Sequence, residues 1–330
     1  MKAMVLAAGF GNRLRPLSSR LPKPLFPFMG RPIVEHTLSL LKSAGIDEAV
    51  INLHHLGGKV EAYLGDGSRF RTRLRYSRED PILGSAGGVK AAQKFLDGDA
   101  FIVINSDVVT DIDLKKLIRF HRKNKSCLTL ALTPALSSGK ADPIAVDGQG
   151  QVTHFSKELS AQARKFIFTG VQIMGPEIFD RIPPDVFMGT TDEVFPQMVA
   201  EGLPVFGFVH DGYWADIGNR ADYLATHRDC MDGKVKSIHP GPIDTPAGEN
   251  IRQPALIGEG CHISANASVG PYTVLGDGCR VEDNAVVANS VCWDGAVIEE
   301  GAAVTECIVG NDCHISAGKK LFREMVVAEE

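Results

Sequence analysis

Apolar residues open the chain as a short block, residues 4–8, that reads as a buried first strand ending at a pair of glycines, Gly9 and Gly11. Residues 32–44 then place apolar side chains at 33, 34, 38, 40 and 41, with Pro32 early and Gly45 as the stop, a pattern that predicts a helix with one buried stripe. A second strand is predicted at 48–53, a helix at 59–64 closed by Gly65-Asp66-Gly67, a third strand at 74–77, a helix at 86–95 and a strongly apolar fourth strand at 101–105. Further strands are read at 128–133, 144–147, 152–155, 166–173 and 205–209, and a helix at 192–201. Strands alternating with helices imply an α/β domain whose sheet is mostly parallel and covered on both faces. Ligands of such a sheet belong at the carboxyl ends of its strands, where Gly9, Gly84 and Asp107 all fall.

The C-terminal third changes period. Ile257, Ile263, Val269, Leu275, Val281 and Val287 recur at intervals of six, each preceded two residues earlier by a small residue: Ala255, Cys261, Ala267, Thr273, Cys279 and Ala285. After a break the pattern returns at Ile298 and Val304, then, one residue short, at Val309 and Ile315, with Ala296, Ala302, Cys307 and Cys313 in the small slots. Hexapeptide periodicity predicts a left-handed parallel β-helix, each turn stacking on the last around an aliphatic column. The division expected from these patterns is a Rossmann-like α/β domain at 1–235, a Pro/Gly-rich linker at 236–253 and a β-helix at 254–330. Its last stretch, 319–328, is expected to fold over the open end as an apolar cap made by Leu321, Phe322, Met325 and Val326.

Charge adds a candidate chemistry. The chain carries a net charge of -5, yet residues 1–34 hold six Lys or Arg and no Asp or Glu. Arg13, Arg15, Arg20 and Lys23 follow the first strand within a proline-stiffened loop, and Gly9 and Gly11 let the backbone approach a ligand closely. Such a cluster calls for an anion, with polyphosphate the usual one. It is not a dinucleotide fingerprint, because Leu14 stands where that motif needs glycine, and no Walker A string occurs. A second glycine cluster, Leu83-Gly84-Ser85-Ala86-Gly87-Gly88, opens a helix whose N–H groups are suited to an anion or the edge of a base. Asp107, just past the buried fourth strand, reads as a magnesium ligand, since Mg²⁺ in phosphoryl-transfer sites needs only one or two carboxylates beside substrate phosphates.

The string G-x-G-x-R-L-x-P-L-x-x-x-x-P-K-P-L-x-P, residues 9–27, resembles the signature of sugar-1-phosphate nucleotidyltransferases, with Asn12 in place of the usual Thr. The resemblance implies that Leu6, Ala8, Gly9 and Gly11 lie along the nucleotide, that Arg13 holds the β- and γ-phosphates and that Lys23 sits at the reacting phosphates. Leu83 to Gly87 resembles the family string beside the base, which places Gly84, Gly87 and Gly88 there. Phe155-Ser156-Lys157-Glu158 resembles the family's Glu-Lys-Pro string, so Lys157 is expected at the sugar phosphate, and Gly170 is expected to line the sugar pocket. Trp214-Ala215-Asp216-Ile217-Gly218 resembles the W-x-D-[IV]-G string, which makes Asp216 the second metal carboxylate. The implied reaction transfers a nucleoside monophosphate from a nucleoside triphosphate to a sugar 1-phosphate, with Mg²⁺, releasing pyrophosphate. Residues 1–111 resemble bacterial mannose-1-phosphate guanylyltransferases and muramate-1-phosphate uridylyltransferases alike; the latter generally lack a β-helix, so the architecture points to the former, which implies GTP and mannose 1-phosphate. The alternatives are uridylyl or thymidylyl transfer to glucose 1-phosphate or an N-acetyl amino sugar 1-phosphate.

Two readings from other classes are set against this one. A hexapeptide-repeat acyltransferase would use His262 or His314 as general base, with no acyl-CoA site evident nearby. A non-catalytic nucleotide-sugar sensor would be expected to lack Arg13, Lys23 or the two carboxylates, and all four are present. No run approaches the ~20 apolar residues of a membrane span, and the opening lacks the pattern of a signal peptide. Seven cysteines without a C-x-x-C pair argue against a disulfide framework or zinc site and suit a reducing cytoplasm. Residues 255–318 hold nine Asp or Glu against Arg280 alone, which excludes nucleic acid as a partner of the β-helix and leaves self-assembly as its expected role.

Overall fold

The computed structural model describes residues 1–135, 143–155, 164–238 and 250–329. The chain folds as two compact units, one comprising Met1–Gly9 and Val34–Trp214, the other Phe10–Ile33 and Ala215–Glu330.

The first unit is built on a nine-stranded sheet. In chain order its strands are β1 (Ala3–Leu6), β2 (Glu48–Leu53), β3 (Arg73–Arg78), β4 (Phe101–Asn105), β5 (Leu128–Pro134), β6 (Ile144–Val146), β7 (Val152–Phe155), β8 (Lys165–Met174) and β9 (Val205–Val209). Across the sheet they run β7-β6-β8-β4-β1-β2-β3, with β5 beside β8 and β9 beside β5. The block β4-β1-β2-β3 is parallel, and the long β8 runs antiparallel to β4, β5 and β6. Sequence dictates the centre: β1 and β4 are short apolar runs whose residues are nearly all buried, as strands covered on both faces must be. Observed and expected elements agree closely, with differences among the helices, of which Arg220–Met231 has no counterpart in the expected elements. The helix expected at 86–95 is divided into Gly84–Ala91 and Gln93–Leu96. The helix Leu114–Lys123 was not read from the sequence, although Asp113 caps it by accepting from the Lys116 N–H at 2.9 Å and three basic residues close its last turn.

In the second unit, strands from residues 255–326 stack into three parallel sheets of five, four and four strands, a β-helix. The small and aliphatic slots both point inward, and Ala255, Ile257, Cys279, Val281, Ala302 and Val304 share one buried core. The break in the repeat has a geometric cause. Ile263 pairs with Val281, 18 residues on, whereas Val281 pairs with Ile298 and Ile298 with Ile315, each 17 on. The shortened corner recurs at Asn289, Glu306 and Arg323, each with positive φ, a conformation that Tyr272 already holds in the longer first corner. Cys292, outside the expected pattern, therefore joins the column at the level of Leu275 and Val309. Residues 319–328 correct the expected cap. Lys320–Phe322 and Met325–Val326 extend two of the sheets by one more coil; Leu321 enters the core, while Phe322 stays exposed. Among the described residues no helix is long and apolar enough to cross a membrane.

Candidate active site

The first unit brings the turn after β1 and the second glycine cluster onto one buried polar chain. The Ala7 N–H donates to Asn52 Oδ1 at 2.7 Å, Asn52 Nδ2 donates to Glu79 Oε1 at 2.7 Å, and the Leu83 N–H donates to Glu79 Oε2 at 2.9 Å. Asn52 and Glu79 are both buried. Neither was singled out from sequence; a lone Asn ending an apolar strand and a lone Glu before a turn carry no string of their own. Gly88 has to be glycine because a Cβ would fall 2.5 Å from Glu79 Oε1 and 2.9 Å from Asn52 Nδ2. Along β1, Leu6 is half-buried and Ala8 buried, while Gly9 is exposed with open space where a Cβ would point.

The start of the helix Gly84–Ala91 departs from expectation. The Ala86 and Gly87 N–H groups donate to the Met188 carbonyl at 2.9 and 3.4 Å, so two donors offered to an anion or base are spent inside the protein. A Cβ on Gly84 would lie 2.6 Å from that carbonyl oxygen, and one on Gly87 2.4 Å from the Val186 carbonyl oxygen. Close backbone approach of residues 186–188 therefore accounts for both glycines without a ligand. Ser85 Oγ accepts from the Thr190 N–H at 2.9 Å and extends the same seam.

Asp107 follows β4 in a turn fixed by the Ser106 N–H, which donates to the Leu6 carbonyl at 3.0 Å. Its carboxylate is half-buried at the strand end, where the sequence placed it. Gly170 adopts φ +76°, and a Cβ there would fall 2.7 Å from Asn105 Nδ2, next to the end of β4. The register of β8 against β5 shifts between Phe168 and Gln172, so Gly170 marks a bulge at this point. Behind it, the Tyr213 N–H donates to Asp111 Oδ1 at 2.8 Å, which also lies 3.1 Å from His210 Nε2. Trp214 Nε1 donates to the Thr169 carbonyl at 2.8 Å. These bonds pin residues 210–214, the approach to Asp216.

In the second unit the basic loop is folded rather than open. Gly11 turns with φ +64°, Asn12–Leu14 and Lys23–Leu25 form single 3-10 turns, and Leu17–Arg20 forms one helical turn. Leu14, Leu17, Phe26 and Phe28 are fully buried, while Arg13, Arg15 and Arg20 are exposed. The alternation of apolar and basic residues thus separates an anchored face from a cationic one. Lys23 Nζ lies 3.8 Å from Asp216 Oδ1. The guanidinium of Arg13 covers Gly218 so closely that a Cβ there would fall 2.7 Å from Nη2. The turn carrying both is held by the Gly218 N–H donating to the Asp216 carbonyl at 2.9 Å and by the fully buried Ile217. Arg13, Lys23 and Asp216, some 200 residues apart in sequence, therefore meet around one glycine.

Lys157 lies outside the described residues. His262 and His314 stand exposed on the β-helix. Among the described residues no three His, Cys, Asp or Glu side chains gather as a protein-only metal site. A magnesium ion carried on a triphosphate does not need one; hard carboxylate oxygens of the kind Asp216 presents, 43% exposed and beside a lysine, fit that donor requirement. Asp107 offers the same donor type at the end of β4.

Comparison with known proteins bears on this geometry. The family model described as nucleotidyl transferase matches residues 2–233, and that described as GMPPB C-terminal domain matches residues 251–330. The chain is 31% identical to a mannose-1-phosphate guanylyltransferase of Mycobacterium tuberculosis, over 92% of this chain and 82% of the relative. It is 30% identical to mannose-1-phosphate guanylyltransferase 1 of Arabidopsis thaliana, over 100% and 91%. It is also 30% identical to a UTP–glucose-1-phosphate uridylyltransferase of Synechocystis sp., over 94% and 87%. Among solved structures, HddC from Yersinia pseudotuberculosis complexed with GMP-PN shares the fold, with a TM-score of 0.59 and 24% identity over 68% of this chain and 96% of that one.

Proposed function

Because the chain belongs to the nucleotidyl transferase family, we propose that it transfers a nucleoside monophosphate from a nucleoside triphosphate to a sugar 1-phosphate, with GTP and mannose 1-phosphate as its substrates. The observation that carries this reading is the meeting of Arg13, Lys23 and Asp216 around Gly218. A fork-shaped guanidinium, a lysine and a carboxylate brought together around one turn are the groups needed to grip a metal-bound polyphosphate. Two relatives named as mannose-1-phosphate guanylyltransferases, matched over more than four fifths of their length, support the choice of substrates.

In this reading a phosphate oxygen of the sugar attacks the α-phosphorus of the triphosphate and pyrophosphate leaves. The nucleophile is already an anion, so the protein supplies alignment and charge rather than a general base. Arg13 holds the phosphates that depart. Lys23 neutralises charge that shifts onto the bridging oxygen, and Asp216 beside it keeps the ammonium aimed. Lys157 takes the phosphate of the sugar, and Gly170 lines the pocket for the sugar itself. Leu6, Ala8, Gly9 and Gly11 run beside the nucleotide, and Gly84, Gly87 and Gly88 border its base. Magnesium, when bound, screens the phosphate charge, and Asp107 and Asp216 are the residues that serve it.

A second reading, uridylyl transfer to glucose 1-phosphate, is favoured by the uridylyltransferase relative at equal identity. A pyrophosphate-release screen of four nucleoside triphosphates against mannose, glucose and N-acetylglucosamine 1-phosphates separates the two. Release only with GTP and mannose 1-phosphate supports the first; release with UTP and glucose 1-phosphate replaces it; no release with any pair overturns both. The reading also carries a self-associating enzyme of a reducing, cytoplasmic compartment, which the seven free thiols suit.

A further inference from the structure

We propose that the β-helix sets the position of the polyphosphate loop, and that Trp293 and Tyr223 are the positioning residues through which it does so. The inference rests on the reading of that loop given under the proposed function.

The basic side chains of the loop are the outer tips of a segment whose inner side is aromatic. The Phe26 ring meets Trp293 edge-on at a centroid separation of 4.8 Å, and Phe28 meets His227 at 4.5 Å. Tyr223, on the helix Arg220–Met231, has its hydroxyl donating to the Pro27 carbonyl and accepting from Trp293 Nε1 at 3.2 Å. One hydroxyl thus links the loop backbone to a side chain of the β-helix. Burial raises the Tyr223 phenol far above its ordinary range, so it remains a neutral donor at any working pH.

Trp293 is itself fixed. Its N–H donates to the Val309 carbonyl at 2.8 Å, and its carbonyl accepts from the Ala296 N–H and from Cys279 Sγ at 3.3 and 3.1 Å. Two more contacts follow the same route: Leu17 of the loop lies against Gly310, whose Cβ would sit 3.2 Å from Leu17 Cδ2, and Arg220 donates to the Glu306 carbonyl at 2.5 Å. The chemistry is close to these anchors. The Phe26 N–H donates to the Lys23 carbonyl at 3.0 Å, so Lys23 sits on the turn that Phe26 pins, and Arg13 directly precedes the fully buried Leu14. A loop without its anchor has to be ordered by the triphosphate itself, at the expense of affinity.

The test uses full-length protein with Trp293→Leu, Trp293→Phe and Tyr223→Phe, assayed with Mg·GTP and mannose 1-phosphate, or with the pair that the screen selects. Trp293→Leu is expected to raise KM for the triphosphate about tenfold while KM for the sugar phosphate stays within twofold, because only the triphosphate is gripped by the loop. Trp293→Phe keeps a ring against Phe26 but loses the donor to Tyr223, and should recover part of the affinity; Tyr223→Phe should resemble it. Hydrogen exchange should rise in residues 11–29 and stay slow in residues 255–281. Phe322→Ala, on an exposed coil, should change none of these readouts. The inference is overturned if Trp293→Leu lowers only kcat, in proportion to a lost folded fraction, or leaves exchange in 11–29 unchanged. Arg13→Ala, run in parallel, keeps the two claims apart: an inert Arg13→Ala refutes the loop's role in phosphate binding, whereas a crippled Arg13→Ala beside an inert Trp293→Leu refutes the positioning alone.

Discussion

Gly218→Ala is the most discriminating change the site offers. Its added Cβ would fall 2.7 Å from Arg13 Nη2, 3.1 Å from Cζ and 3.3 Å from Nη1. Ordinary van der Waals contact begins near 3.4 Å, so the guanidinium has to retreat by about 0.7 Å, the difference between the two distances. The group that must move is the end of a flexible side chain, and Gly218 does not occupy the left-handed region, so the fold itself accepts alanine. Replacing glycine at a compatible position even stabilises by ~0.4–1 kcal/mol through the unfolded chain. Function should respond in the opposite sense. A charge-assisted hydrogen bond is worth ~1.5–3 kcal/mol, or roughly 10- to 150-fold, and a shift of this size strains both tines of the fork. We therefore expect kcat/KM for the triphosphate to fall by about 10- to 100-fold, mainly through KM, with Tm unchanged or slightly higher. Pyrophosphate release measured over a range of triphosphate concentrations, beside a thermal melt, gives both numbers. The double variant with Arg13→Ala completes a cycle: once the guanidinium is gone, Gly218→Ala should cost almost nothing further. Full additivity, or wild-type kinetics in Gly218→Ala, would refute the placement of Arg13 as a phosphate ligand.

Other outcomes follow from single contacts. Asp107→Ala and Asp216→Ala should each lower magnesium-dependent turnover by at least ~10²-fold with little change in Tm, and near-normal rates in either would remove that residue from the metal's service. Lys23→Ala should lower kcat more than it raises KM, the reverse of Arg13→Ala, because the charge it meets develops during reaction; steady-state kinetics with saturating sugar phosphate decide the split. Glu79→Ala leaves Asn52 Nδ2 and the Leu83 N–H without their buried acceptor, and should destabilise by about 3 kcal/mol in urea titration, each orphaned donor costing ~1–3 kcal/mol. Deleting residues 234–330 removes Trp293 from Phe26 and Tyr223, both fully buried, so the fragment should aggregate in light scattering; a monodisperse, folded fragment would show that this aromatic cluster does not depend on the β-helix.

How much of this was legible in the chain depended on whether the cause was local. Strands β1 and β4 are continuous apolar runs, and Gly11, Arg13 and Lys23 stand in one dense string, so each could be read where it lies. The β-helix is legible for the same reason, and the break in its period at 288–295 marks the place where the coil shortens from 18 to 17 residues. The glycines of 84–88 were read as a ligand cradle, and the structure gives them an internal reason: the carbonyls of Val186 and Met188 and the Glu79 carboxylate occupy the space that side chains would need. Those partners lie a hundred residues away or carry no motif, so spacing alone could not reveal them. The basic loop shows the same limit from the other side. Its arginines announce an anion, but half of its residues are apolar, and what Leu17, Phe26 and Phe28 rest on is decided by a helix and a β-helix about 200 to 290 residues later. A phosphate loop needs a rigid back as much as a charged front, since donors aim usefully only when their backbone cannot drift. The apolar residues of this string are therefore as much part of its chemistry as Arg13 and Lys23, and the tyrosine and tryptophan that hold them belong to the same device.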